Sequence, residues 1–81
     1  MNADRIENRI AECATLFGFE YNGKDGNVDP CYNSKNDRVE YLLFFDGSEQ
    51  TVYDIKSVMN TPFIAGKTLT EVADKIVITD W

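Results

Sequence analysis

The sequence predicts an α+β fold: one small domain, residues 1–81, with an N-terminal helix packed on an antiparallel sheet of three to four strands. Two short helical segments follow near the C-terminus, in the overall order α-β-β-β-α-α-β. Three observations predict this. Apolar residues recur at helical spacing at the start of the chain, an Asp-Gly pair separates two strand-like runs, and a Thr-x-x-Glu signature comes late.

Ala3, Ile6, Ile10, Cys13 and Phe17 are separated by three or four residues, which puts them on one stripe of a helix with Asp4, Glu7, Asn8 and Glu12 largely off it. Asn2 is a suitable N-cap, and Gly18 stands where a left-handed C-terminal cap is expected. The stripe is too short for a coiled-coil seam, so it is read as packing on the sheet, with Cys13 in the core.

Phe19 to Tyr21 adds a short extended segment. The run Asn22-Gly23-Lys24-Asp25-Gly26-Asn27 is so rich in turn formers that it reads as a loop. Val28 to Tyr32 then reads as a strand, and Pro30, which lacks an amide donor, assigns it to an edge or a bulge.

Val39 to Phe45 is β-branched, aromatic and aliphatic, and stops at Asp46-Gly47, a pair suited to tight hairpin turns because Gly takes positive φ without penalty. Glu49 to Tyr53 is expected to return antiparallel, completing a three-stranded meander. The strand 39–45 has large apolar groups on both faces, Val39, Tyr41, Leu43 and Phe45 on one, Leu42 and Phe44 on the other. It is therefore expected to be central and covered twice.

Asp54 can cap a short helix through Ile55 to Met59, with Ile55, Val58 and Met59 on one face and Pro62 beyond its end. Thr68-Leu69-Thr70-Glu71 fits a capping box, which predicts a third helix from Leu69 to Lys75. The β-branched tail Ile76 to Thr79 reads as a last strand before Asp80-Trp81.

Composition narrows the function classes. The chain of 81 residues carries 14 acidic and 8 basic side chains, a net charge of −6 that repels phosphate backbones and anionic lipid. Direct nucleic-acid binding and a membrane role are not expected. No basic segment followed by an apolar stretch opens the chain and no apolar run approaches membrane-spanning length, so the expected location is cytoplasmic. Cys13 and Cys31 sit in neither a Cys-x-x-Cys nor a metal-ligand spacing and are read as free thiols.

Two motif fragments break down on inspection. Gly66-Lys67-Thr68 has the end of a phosphate-binding loop, but position 61, which should be Gly, is Thr. Asp25, Asn27 and Asp29 copy the first ligand positions of a calcium-binding EF-hand loop, yet Pro30 stands where Gly is required and Asn36 where a bidentate Glu belongs. A polar turn is the better reading than a weak calcium site. The chain has no His and no nucleophile paired with a base at a recognisable spacing, so no enzyme and no cofactor are expected. The catalytic alternative is a hydrolase built on carboxylates such as Asp25 and Asp29.

What remains is a protein-interaction module or homodimer that binds through the hairpin, with Tyr41, Leu43, Phe45 and Tyr53 as contact residues. The rival reading is an acidic imitation of nucleic acid that blocks a DNA- or RNA-handling protein. In its general look, a short acidic domain without catalytic side chains, the chain resembles small bacterial or phage-like accessory proteins, a likeness that no specific motif carries.

Overall fold

The computed structural model describes residues 2–12 and 15–81. Asn2 opens the first helix, α1 (Ala3–Glu12), its side-chain oxygen accepting the Arg5 amide at 2.9 Å. The predicted stripe is then divided: Cys13 lies outside the described residues, while Phe17 and Gly18 belong to strand β1 (Phe17–Tyr21). Gly18 is thus a strand residue and not a helix cap. The period changes from helical to two because Phe17, Phe19 and Tyr21 can all be buried on one side of a strand, and each such ring contributes about 1.5–3 kcal/mol on burial.

β1 turns at Asn22-Gly23 into β2 (Lys24–Asn33), and the expected loop over 22–27 is instead a hairpin. Asn22 and Gly23 have φ of 52° and 77°, the geometry that lets a two-residue turn follow the twist of its strands. Polar Asp25 and Asn27 sit within the ladder, opposite Glu20 and Gly18. The second turn, Asp46-Gly47 with φ of 48° and 85°, joins β3 (Arg38–Phe45) to β4 (Ser48–Val52) as expected.

Pro30 obeys its restriction locally. Among the described residues β1 pairs with β2 only as far as Val28, so Pro30 lies where β2 is paired with β3 alone.

Asp54 caps α2 (Ile55–Asn60), accepting the Ser57 amide at 2.7 Å. The capping box of α3 (Leu69–Val72) is complete: the Glu71 amide donates to Thr68 Oγ1 at 3.1 Å and the Thr68 amide to Glu71 Oε1 at 3.0 Å. α3 is shorter than the expected run to Lys75, since the last turn closes with the Lys75 and Ile76 amides both donating to the Val72 carbonyl. The tail is a strand, β5 (Val77–Asp80), antiparallel to β1.

The sheet order is β4-β3-β2-β1-β5, every neighbouring pair antiparallel. One strand more than expected is present, and the order of elements is otherwise as the sequence predicts. Ile6 and Ile10 of α1, Val58 and Met59 of α2, and Leu69 and Val72 of α3 meet Phe17, Phe19, Val28, Leu43 and Phe45 in a single core cluster. All three helices therefore lie on one face of the sheet. The expectation that β3 is covered twice is corrected: it is paired on both edges but covered on one face only. Helices of ten, six and four residues supply just enough apolar surface for one side of a five-stranded sheet.

Arg9 ties the sheet's far edge to the helical layer. Its buried guanidinium donates to the Trp81 carbonyl from Nε at 2.9 Å and from a terminal nitrogen at 2.6 Å, and to the Leu16 carbonyl at 2.9 Å. It also lies 5.5 Å from the centre of the Trp81 ring. A planar fork with several donors suits this role; a lysine would satisfy fewer acceptors.

Candidate functional site

The four residues expected to make contacts are separated by the fold. Leu43 is fully buried and Phe45 nearly so, both beneath the helices. Tyr41 is half-buried at the margin of the core, and Tyr53 is exposed just after β4. Alternation explains the division: Leu43 and Phe45 share the side of β3 that the helical layer covers, which leaves Leu43 fully shielded and only an edge of Phe45 open.

Exposure rises steadily along the β2–β3 ladder. Val28 and Leu43 are paired and both at 0 % exposure, Pro30 and Tyr41 are paired and half-buried, and Tyr32 and Val39 are paired at 64 % and 40 %. These residues all lie on the helix-side face, so the hairpin overhangs the layer that buries its root. The overhang is built locally. Asn33 Oδ1 accepts the amides of Lys35 and Asn36 to shape the connecting loop, and the Tyr32 hydroxyl donates to the Asp37 carboxylate. That hydrogen bond holds the phenolic proton and pushes the Tyr32 pKa above its usual value.

Just beyond the end of the neighbouring strand, Tyr53 receives the Arg38 guanidinium at 4.2 Å from its ring centre. Tyr32, Val39 and Tyr41 thus share the helix-side face at one end of the sheet, and Tyr53 stands at the same end with Arg38, which alternates to the other face. Tyr32 and Val39 were not among the expected contact residues. The signal for them was the Pro30 edge together with the alternation that already grouped Val39 with Tyr41.

The motif fragments resolve into ordinary structure. Ile64 and Lys67 exchange backbone hydrogen bonds of 3.0 and 2.9 Å around Ala65-Gly66, a tight turn with φ of 53° and 79°, and Thr68 is engaged as a helix cap. Asp25, Asn27 and Asp29 occupy alternate positions of extended β2, spaced about 6.5 Å apart and projecting in parallel, so their oxygens do not converge as an EF-hand loop requires. Among the described residues no group of His, Cys, Asp and Glu is arranged to hold a metal. Neither Asp25 nor Asp29 lines the depression described next. A depression of about 360 Å³ lies elsewhere, between the start of β4 and the Ala65-Gly66 turn, with the Lys24–Asp46 ion pair of 2.9 Å among its lining groups.

No helix among the described residues is long and apolar enough to cross a membrane. Comparison with protein-family models, with curated proteins and with solved structures returns no match.

Proposed function

We propose that the chain is a non-catalytic protein-interaction module that binds through the overhanging end of its sheet. One observation carries the reading: the rise in exposure from the Val28–Leu43 pair to the Tyr32–Val39 pair, which leaves aromatic and branched side chains on a rigid ladder beyond the cover of the helices. Tyrosine suits such a surface because it offers a large apolar face and a polar tip with little rotamer entropy to lose. Tyr41 keeps its expected role, joined by Tyr32 and Val39, whereas Leu43 and Phe45 hold the scaffold and Tyr53 stacks on Arg38 towards the opposite face of the sheet.

The test pairs a binding assay with a stability control. Partner capture and self-association are measured for the native chain and for a Tyr32→Ser, Val39→Ser double variant, in dilute and in concentrated salt. Binding through this end survives salt and falls on the order of tenfold or more in the variant, whose melting midpoint moves little because both side chains are exposed. If the chain stays monomeric, captures no partner, and the double variant behaves as the native protein, the reading is wrong.

A further inference from the structure

The sheet face that the helices leave bare has a one-sided charge. Residues directly opposite in an antiparallel pair point to the same side, so the pairs Glu20–Asp25, Asp29–Leu42, Cys31–Glu40 and Phe44–Glu49 lay out this surface. Leu42 and Phe44 make its apolar centre, half-buried among their neighbours and outside the core cluster. Glu20, Asp25, Asp29, Glu40 and Glu49 surround them. Among the described residues the one basic side chain at a ladder position on this side is Arg38, taken up by the Tyr53 ring at the end of the face.

Glu40 accepts a hydrogen bond from Asn33 Nδ2 at 3.1 Å, but among the described residues none of these carboxylates forms an ion pair within the sheet. Glu20 and Asp25 are directly opposite each other, a like-charged pair that works against its own hairpin. Asp29 and Glu40 flank Cys31, whose thiol pKa is pushed up by desolvation first and by these two charges next. The ion pairs among the described residues lie elsewhere, Lys24 with Asp46 and Lys56 with Glu7. In sign, the face complements a cationic partner.

We propose that the open face docks a cationic amphipathic segment of a partner protein, with apolar side chains on Leu42 and Phe44 and lysines or arginines over the surrounding carboxylates. From β1 to β4 the face spans three inter-strand spacings, about 14 Å, which one amphipathic helix of about 10–12 Å diameter covers. A second copy of the chain is disfavoured as the occupant, because face-to-face contact would set the same carboxylates against one another. Nucleic acid is disfavoured because its phosphates carry the same sign. This surface is distinct from the overhanging hairpin end and is tested separately from it.

The probe is a synthetic helical peptide with lysines on one face and leucines on the other, titrated into the isotope-labelled protein and followed through backbone amide shifts. A Lys-Ser peptide of equal charge and a DNA duplex are the controls. Amide shifts should concentrate on Glu20, Asn27, Leu42, Phe44 and Thr51. Affinity should fall on the order of tenfold from dilute to half-molar salt, and by a similar factor both for Phe44→Ser and for the Lys-Ser peptide. No binding, shifts centred on the helical layer, equal affinity for the Lys-Ser peptide, or the same response to DNA would each overturn the proposal. Glu20→Gln and Asp25→Asn supply a readout free of any folding defect. Each should weaken the peptide while raising the melting midpoint of the free protein, whereas a lowered midpoint would show the carboxylates to be structural and end the proposal.

Discussion

Gly26 shows how one residue can be read correctly for its chemistry and wrongly for its purpose. In a run of turn formers it suggests a bend, yet it sits inside β2 opposite Phe19, in the ordinary extended region. A Cβ at this position would lie 2.5 Å from Phe19 Cζ and 3.0 Å from the Phe44 carbonyl oxygen. The ring that would be displaced is fully buried and packs against Phe17, Phe45 and Phe63 at centroid separations of 5.9, 6.4 and 6.3 Å. Gly26→Ala therefore costs about 1–3 kcal/mol through overpacking, measured by chemical denaturation, and a Phe19→Leu change in the same chain recovers part of the loss because the clashing atoms are removed. Leu43 makes the same point from the other side. It looks like a contact residue on an apolar strand, but it is fully buried, so a polar substitution there would report unfolding and say nothing about binding.

At the scale of the element, the capping signals at Asn2, Asp54 and Thr68 all form in the structure, because a cap is satisfied within four residues and needs nothing from the rest of the chain. The Thr68–Glu71 box also makes a pH dependence. The Thr68 backbone amide, and then its hydroxyl, hold the Glu71 carboxylate below the usual glutamate pKa. A carboxyl group whose pKa is lowered in the folded state contributes stability that is fully present above its unfolded value and is lost as pH falls through the folded one. Glu71→Gln keeps a side-chain acceptor but does not titrate. Denaturation midpoints measured over an acid series should show the native chain ahead of the variant above the glutamate range, with the gap closing as the solution is acidified. A gap that is constant with pH would mean the box contributes through hydrogen bonding alone. The hairpin at Asn22-Gly23 was legible by the same rule that identifies Asp46-Gly47, but its flanks hide the strand pattern. Lys24, Asp25 and Asn27 are polar because the sheet face they border is bare or peripheral.

At the scale of the whole molecule, a net charge of −6 on 81 residues is distributed unevenly, with carboxylates that form no ion pair among the described residues on one sheet face and two of the lysines committed to ion pairs elsewhere. Self-repulsion of this kind weakens the compact state and is screened by salt, so the melting midpoint of the free protein should rise as neutral salt is added, and most of that rise should be absent from a Glu20→Gln, Asp25→Asn variant. A midpoint that falls with salt would show that the ion pairs outweigh the repulsion.

The sequence by itself determined the class of the fold and its punctuation: α+β, the helix starts, the Asp46-Gly47 hairpin and the β-branched last strand, all carried by interactions between residues close in the chain. It also displayed apolar groups on both sides of β3. Only the tertiary structure decided which side the helices take, because alternation marks two faces without ranking them, and the choice depends on where distant Ile6, Val58 and Leu69 can pack together. The same packing brought β5 beside β1 and left the tip of the β2–β3 hairpin exposed. Tyr41 and Tyr53 as surface groups could be read in advance. That Leu43 and Phe45 lie under the helices while Tyr32 and Val39 lie beyond them was only hinted at by Pro30 and the alternation, since it follows from how far three short helices reach across a sheet.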